Sequence, residues 1–160
     1  RLIQAFGRLN IEAQLVIPGA PGWLYQDTLT EAEKHGDRVR ILGFVEDKDL
    51  PALYRNAALF VFPSLYEGFG LPVLEAMACA VPVVCSNASS LPEVASNAAL
   101  MVDPLDTDGL AQAMALALTD TDLRREMVTR GLAQAAQFTW RHAAIQLREA
   151  FDLLLTPQGL

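Results

Sequence analysis

Short β-favouring apolar runs separated by helical patterns govern what this chain can fold into. The runs predict strands at Gln14–Ile17, Val39–Leu42, Leu59–Phe62, Val83–Cys85 and Ala99–Val102. Helical patterns lie between them at Trp23–His35, Leu50–Ala57, Leu71–Cys79 and Leu91–Ala95, and Arg1–Leu9 reads as the tail of a helix. Runs such as Leu15-Val16-Ile17 and Leu59-Phe60-Val61-Phe62 are apolar at consecutive positions, so both strand faces call for cover. Such strands suit a parallel sheet between two helix layers. The expected class is therefore α/β, a doubly wound parallel sheet. After Val102 the strands stop, and helices are predicted at Gly109–Leu118, Leu123–Gln137 and Trp140–Leu154.

Composition excludes several kinds of protein. A chain of 160 residues that is 52% hydrophobic and 19% charged reads as one packed domain or a large piece of one, not a disordered segment. A net charge of -7 argues against a nucleic-acid binder and gives no support for docking on anionic lipid. No apolar run reaches the roughly twenty residues of a membrane span, and no secretion signal is visible. A start inside a helical pattern suggests a piece of something longer. Cys79 and Cys85 lie in apolar stretches and read as inert thiols, which fits a reducing, cytoplasmic compartment. His35 reads as a helix C-terminal residue. With only two His and two Cys, a zinc site is not expected, and no metal ligands are assigned.

An α/β fold of this kind binds ligands beyond the carboxyl ends of its strands. The ends of the early strands carry Pro18, Gly43 and Pro63, which sets aside a phosphorelay receiver with its acidic cluster. The longest strand-end loop runs Glu67-Gly68-Phe69-Gly70 into Leu71-Pro72-Val73-Leu74-Glu75. Gly68 and Gly70 allow a sharp turn and a close approach. Pro72 suits a first helical turn. The free N–H groups of that turn, with the helix dipole, make an anion site at Gly68–Leu71. Either Glu67 or Glu75 alone would read as a solvated loop acid or a helix N-terminal acid. Both together, beside an anion site, point to a ligand with a diphosphate between two polyols, which is a sugar nucleotide.

The stretch from Ser64 to Val84, with Glu67-Gly68-Phe69-Gly70-Leu71-Pro72-Val73-Leu74-Glu75-Ala76-Met77 at its centre, resembles the signature of the group 1 retaining glycosyltransferases, which have the two-domain GT-B fold. The likeness extends through Ser86–Val94, Val102-Asp103-Pro104 and Phe138-Thr139-Trp140, and back to Arg40–Val45 and Leu53-Tyr54. It implies the Rossmann-like, donor-binding C-terminal domain. It assigns Glu75 to the nucleotide ribose and Glu67, as the catalytic candidate, to the donor sugar. The main chain at Gly68, Phe69, Gly70 and Leu71 is assigned to sugar and diphosphate, and that around Val45 to the base. The implied reaction moves a hexose from a nucleoside diphosphate sugar to an acceptor hydroxyl, with retention and without a metal or other cofactor. Gly22-Trp23-Leu24-Tyr25 is similar to members that use GDP-mannose. One departure is Ala80, where the family usually has Gly; a negative φ there would make the methyl harmless.

Asp47-Lys48-Asp49, Asp106-Thr107-Asp108 and Asp120-Thr121-Asp122 match the metal-binding tripeptide of another glycosyltransferase class. Each precedes a predicted helix, so they read as N-caps. Ser90 with Glu93 reads as a capping box. Trp23 and Tyr25 read as packing residues ahead of a role at the base pocket. The resemblance further implies that the acceptor, a glycan or lipid-linked sugar, is held by an N-terminal domain outside this chain, with the whole protein cytoplasmic or peripheral at the inner membrane face. It also implies an absent first strand, which in the usual order is central. Gln14–Ile17 and Leu59–Phe62 would then face an empty slot, closed by re-pairing, by self-association or by upstream residues. A non-catalytic sugar-nucleotide module and a GT-B epimerase stay open as rival readings.

Overall fold

The computed structural model describes residues 1–20, 22 and 25–155. Its elements are α1 (Leu2–Gly7), β1 (Leu15–Pro18), α2 (Gln26–Glu33), β2 (Val39–Gly43), α3 (Leu50–Asn56), β3 (Phe60–Phe62), α4 (Leu71–Ala78), β4 (Val83–Ser86), α5 (Leu91–Ala95), β5 (Leu100–Val102), α6 (Thr107–Thr119), α7 (Thr121–Ala135) and α8 (Trp140–Leu155). Each predicted strand is present, displaced by at most one residue at either end. Pro21, Trp23 and Leu24 lie outside the described residues, so the predicted helix start at Trp23 does too.

All ladders are parallel, with a helix between consecutive strands, as a doubly wound α/β fold requires. β1 pairs β2 from Leu15 opposite Val39 to Ile17 opposite Ile41, and the register slips at Pro18. Proline has no N–H for the ladder, and the next donor, Gly19 N–H, reaches the Gly43 carbonyl at 2.7 Å. β4 lies between β3 and β5.

The strands form two sheets, β1-β2 and β3-β4-β5. Among the described residues no ladder joins β1 to β3, so the expected slot is not closed by direct re-pairing. Side chains connect the two sheets instead. Ile3 and Phe6 of α1 and Leu110 and Met114 of α6 share one apolar cluster with Val39 and Val84, and Leu15, Ile17 and Val61 pack against it. A second cluster lies on the opposite face of β3-β4-β5, where Val73 and Met77 of α4 and Leu91 and Val94 of α5 meet Val83, Cys85, Phe60 and Phe62.

Cover on both faces therefore holds for β4, every residue of which is buried. For β1 and β2 the expectation is corrected: burial alternates, and Val16 and Leu42 are 40% and 39% exposed. The physical reason is that α4 and α5 pack over the other sheet, leaving this face open. Burial in β4 pushes the Cys85 thiol up to about 12.

Helix α7 braces α4. Gly131 sits against Met77, where an added Cβ would lie 3.2 Å from Met77 Cγ. Gln134 Nε2 donates to the Val94 carbonyl at 2.8 Å, and Arg130 Nη1 to that of Asn97 at 3.3 Å. His35 follows α2 rather than capping it, with Lys34 at the cap position, and its ring lies against Gly7 of α1.

Candidate functional site

The long loop after β3 enters α4 through Gly70, whose φ of +106° lies in the left-handed region. A Cβ there would also stand 2.5 Å from Leu91 Cδ2. Gly70 is thus required twice, by backbone and by packing. Gly68 is different: its φ is not positive, and nothing lies within 4 Å of where its Cβ would be. The expectation that both glycines serve the turn is corrected to Gly70 alone; Gly68 leaves open space in front of the loop. Among the described residues, no hydrogen bond engages the N–H of Gly68, Phe69, Gly70 or Leu71. Pro72 is the second residue of α4, and no acidic residue occupies the first turn. Four unengaged donors with a helix dipole behind them can hold an anionic group.

Glu67 is held at three points. Ser64 Oγ donates to Glu67 Oε1 at 2.6 Å, the Glu67 N–H donates to Ser89 Oγ at 2.9 Å, and Ser90 Oγ donates to the Glu67 carbonyl at 3.1 Å. Ser90 Oγ also lies 2.8 Å from the Phe69 carbonyl. Ser90 therefore makes no side-chain cap on α5, and the capping-box expectation is corrected. The hydroxyl is committed to the facing loop. Below it, fully buried Ser86 donates to the Ser64 carbonyl at 2.6 Å.

Glu75, an exposed residue of α4, accepts from Tyr54 Oη of α3 at 3.0 Å through Oε2. Burial, then the Glu75 carboxylate, raises the Tyr54 phenol, so Tyr54 remains a donor and fixes one carboxylate oxygen. Phe69 meets Phe138 edge-on at 5.9 Å between centroids, tying the loop to the turn after α7. Val45 follows β2 on the other sheet, beside exposed Phe44, and among the described residues no hydrogen bond joins it to the 67–71 loop. Tyr25 is exposed at the start of α2, against the packing role expected for it, and Trp23 lies outside the described residues.

The acidic tripeptides divide. Asp106 caps α6 through Gly109 N–H, and Asp120 caps α7 through Asp122 and Leu123 N–H. Asp49 stands at the start of α3 with helical φ and makes no side-chain cap, so that expectation is corrected. Among the described residues, no group of three or more His, Cys, Asp or Glu is placed to hold a metal ion. Ala80 has φ of +60°, against the negative φ that would have made its methyl harmless. A hollow of about 560 Å³ lined by Ile11, Glu12, Gln14 and Arg38 lies before β1 and β2, at the opposite strand ends from this loop.

Sequence reasoning missed Tyr54, Ser64, Ser89 and Phe138 as supports of the site. Ser64 carried a local signal, three residues before Glu67. The others come from distant segments and meet the loop only once the sheet and α7 are assembled.

Residues 1–134 match the family described as glycosyl transferases group 1. Over 160 residues the chain is 46% identical to the O-antigen chain mannosyltransferase B of Escherichia coli, covering 96% of this chain and 42% of that protein. It is 41% identical over 162 residues to the Escherichia coli serotype-specific mannosyltransferase WbdA, covering 96% of this chain and 20% of that one. The crystal structure of Anabaena Alr3699/HepE in complex with UDP and glucose superposes with a TM-score of 0.83 at 25% identity, over 94% of this chain and 43% of that one. The chain thus spans well under half the length of the relatives it matches.

Proposed function

Because this chain belongs to the group 1 glycosyl transferases, we propose that it is the donor-binding part of a retaining mannosyltransferase that takes GDP-mannose. The observation that carries the reading is the loop into α4, where unengaged N–H groups at Gly68–Leu71 stand between Glu67 and Glu75. In this reading the N–H groups hold the diphosphate and support its negative charge as it departs. The exposed carboxylate of Glu75, oriented by Tyr54, accepts from the ribose hydroxyls. Glu67 lies by the donor sugar. The mannosyltransferases at 46% and 41% identity support the choice of sugar, and the neighbour solved with UDP and glucose supports a nucleotide ligand.

The same reading assigns the acceptor to a separate domain of the whole protein and puts a further strand between β1 and β3. It gives the transfer step no metal, since the helix terminus takes the charge a cation would otherwise meet. No helix among the described residues is long and apolar enough to cross a membrane.

The test is a thermal-shift and binding panel of GDP, UDP and ADP on the full-length protein, followed by turnover of GDP-mannose. Preference for GDP and transfer of mannose with retained anomeric configuration are expected. Tighter binding of UDP, or an inverted product, refutes the donor or the stereochemistry. Glu67→Gln should leave GDP affinity nearly intact and slow turnover.

A further inference from the structure

Ser89 is one of three non-glycine residues with a positive φ among the described residues, at +52°. For a residue with a Cβ this conformation is unfavourable, and it persists where surrounding structure demands it. The demand is visible: Ser89 Oγ accepts the Glu67 N–H at 2.9 Å. From the same segment Ser90 Oγ reaches the carbonyls of Glu67 at 3.1 Å and Phe69 at 2.8 Å. From the end of β3, Ser64 Oγ reaches the Glu67 carboxylate at 2.6 Å, and Ser64 is itself held through its carbonyl by Ser86 at 2.6 Å. The N–H, the carbonyl and one carboxylate oxygen of Glu67 are therefore all engaged by serine hydroxyls from the ends of β3 and β4. These bonds leave Oε2 of Glu67 without a partner among the hydrogen bonds of the described residues.

We infer that Ser64 and Ser89 are positioning residues for Glu67: they fix where its carboxylate stands, and the left-handed strain at Ser89 is the cost of presenting that hydroxyl. The inference rests on the reading of Glu67 as the acid beside the donor sugar. A misplacement of about 1 Å in such a group is enough to lower a rate by up to about a hundredfold. Loss of one hydrogen bond of ordinary strength corresponds to about three- to tenfold.

Ser89 separates positioning from stability, because removing its side chain relieves strain. In Ser89→Gly the relief of left-handed strain offsets the lost hydrogen bond and the freer unfolded chain, so the Tm of the full-length protein should stay within about 3 °C. Its kcat for GDP-mannose turnover, read as GDP release, should fall about three- to tenfold, with KM for GDP-mannose within about twofold. Ser64→Ala should lower kcat similarly, Ser64→Thr should restore most of it, and Ser64→Ala should add little in a Glu67→Gln background. A Tm lowered by more than about 3 °C together with the lower kcat in Ser89→Gly would mark a structural role and overturn the inference. So would unchanged kcat in both Ser89→Gly and Ser64→Ala while Glu67→Gln is impaired. If Glu67→Gln itself turns over normally, it is the underlying role of Glu67 that fails.

Discussion

Replacing Ala80 with glycine should stabilise the protein without touching its chemistry. Helix α4 ends at the C-cap Cys79, and the chain then turns through Ala80 at φ of +60°. Val81 N–H donates to the Ala76 carbonyl at 3.1 Å and Ala80 N–H to that of Met77 at 3.0 Å. These are the two bonds of a Schellman ending, whose left-handed position is normally glycine. A left-handed conformation costs a residue with a Cβ about 1–2 kcal/mol. Glycine removes that cost but gives back about 0.4–1 kcal/mol through the greater freedom of the unfolded chain. The Ala80 side chain is exposed, so little packing is lost. The balance is a gain of about 0.5–1 kcal/mol, or about 1–4 °C in Tm for a domain of this size. Melting curves of the full-length protein with and without Ala80→Gly measure it. Ala80→Val, which worsens the same strain, should shift Tm the other way. A lower Tm for the glycine variant would show that the backbone at residue 80 is not left-handed, and the reasoning would fail.

Further outcomes follow from the same geometry. Glu75→Ala should weaken nucleoside diphosphate binding at least about tenfold, the equivalent of a hydrogen bond to a charged group, as titration calorimetry would read; unchanged affinity would remove the ribose role. Gly70→Ala combines the φ of +106° with a Cβ 2.5 Å from Leu91 Cδ2, so it should cost about 1–3 kcal/mol in urea unfolding. EDTA should leave turnover of the full-length protein intact, and full loss restored by manganese would give one acidic tripeptide a metal role. Burial raises the Cys85 thiol from 9.0 to about 12. The stability from its neutral form is complete below pH 9 and is lost as pH rises toward 12; unfolding curves at pH 8 and pH 10 should show the decline, less steeply in Cys85→Ala.

The succession of strands along the chain and the loop were legible because both are written locally. Consecutive apolar residues mark β4, and Gly70-Leu71-Pro72 marks the start of α4 whatever surrounds them. The one-sided burial of β1 was not legible, because it depends on which sheet α4 and α5 cover. The use of Ser90 was missed for a related reason. A serine ahead of Leu91-Pro92-Glu93 has the local form of a cap, and only the approach of the facing loop offers its hydroxyl the carbonyls of Glu67 and Phe69. Ala80 shows the limit from the other side: its side chain prefers a conformation that the helix ending overrides.

The bracing of α4 by α7 extends the reach of the site far along the chain. Gly131 lets two helices approach to the thickness of a Met77 side chain, and Phe138, a few residues later, rests on Phe69 of the loop. Helix α7 and the turn after it therefore work as a splint, gripping α4 at one point and the loop that precedes it at another. A bulkier residue at 131 would tilt the splint, and the tilt would be felt at Phe69. Substitutions that change how this loop is held can thus lie some sixty residues downstream, on a helix and turn that contribute nothing to the signature motif.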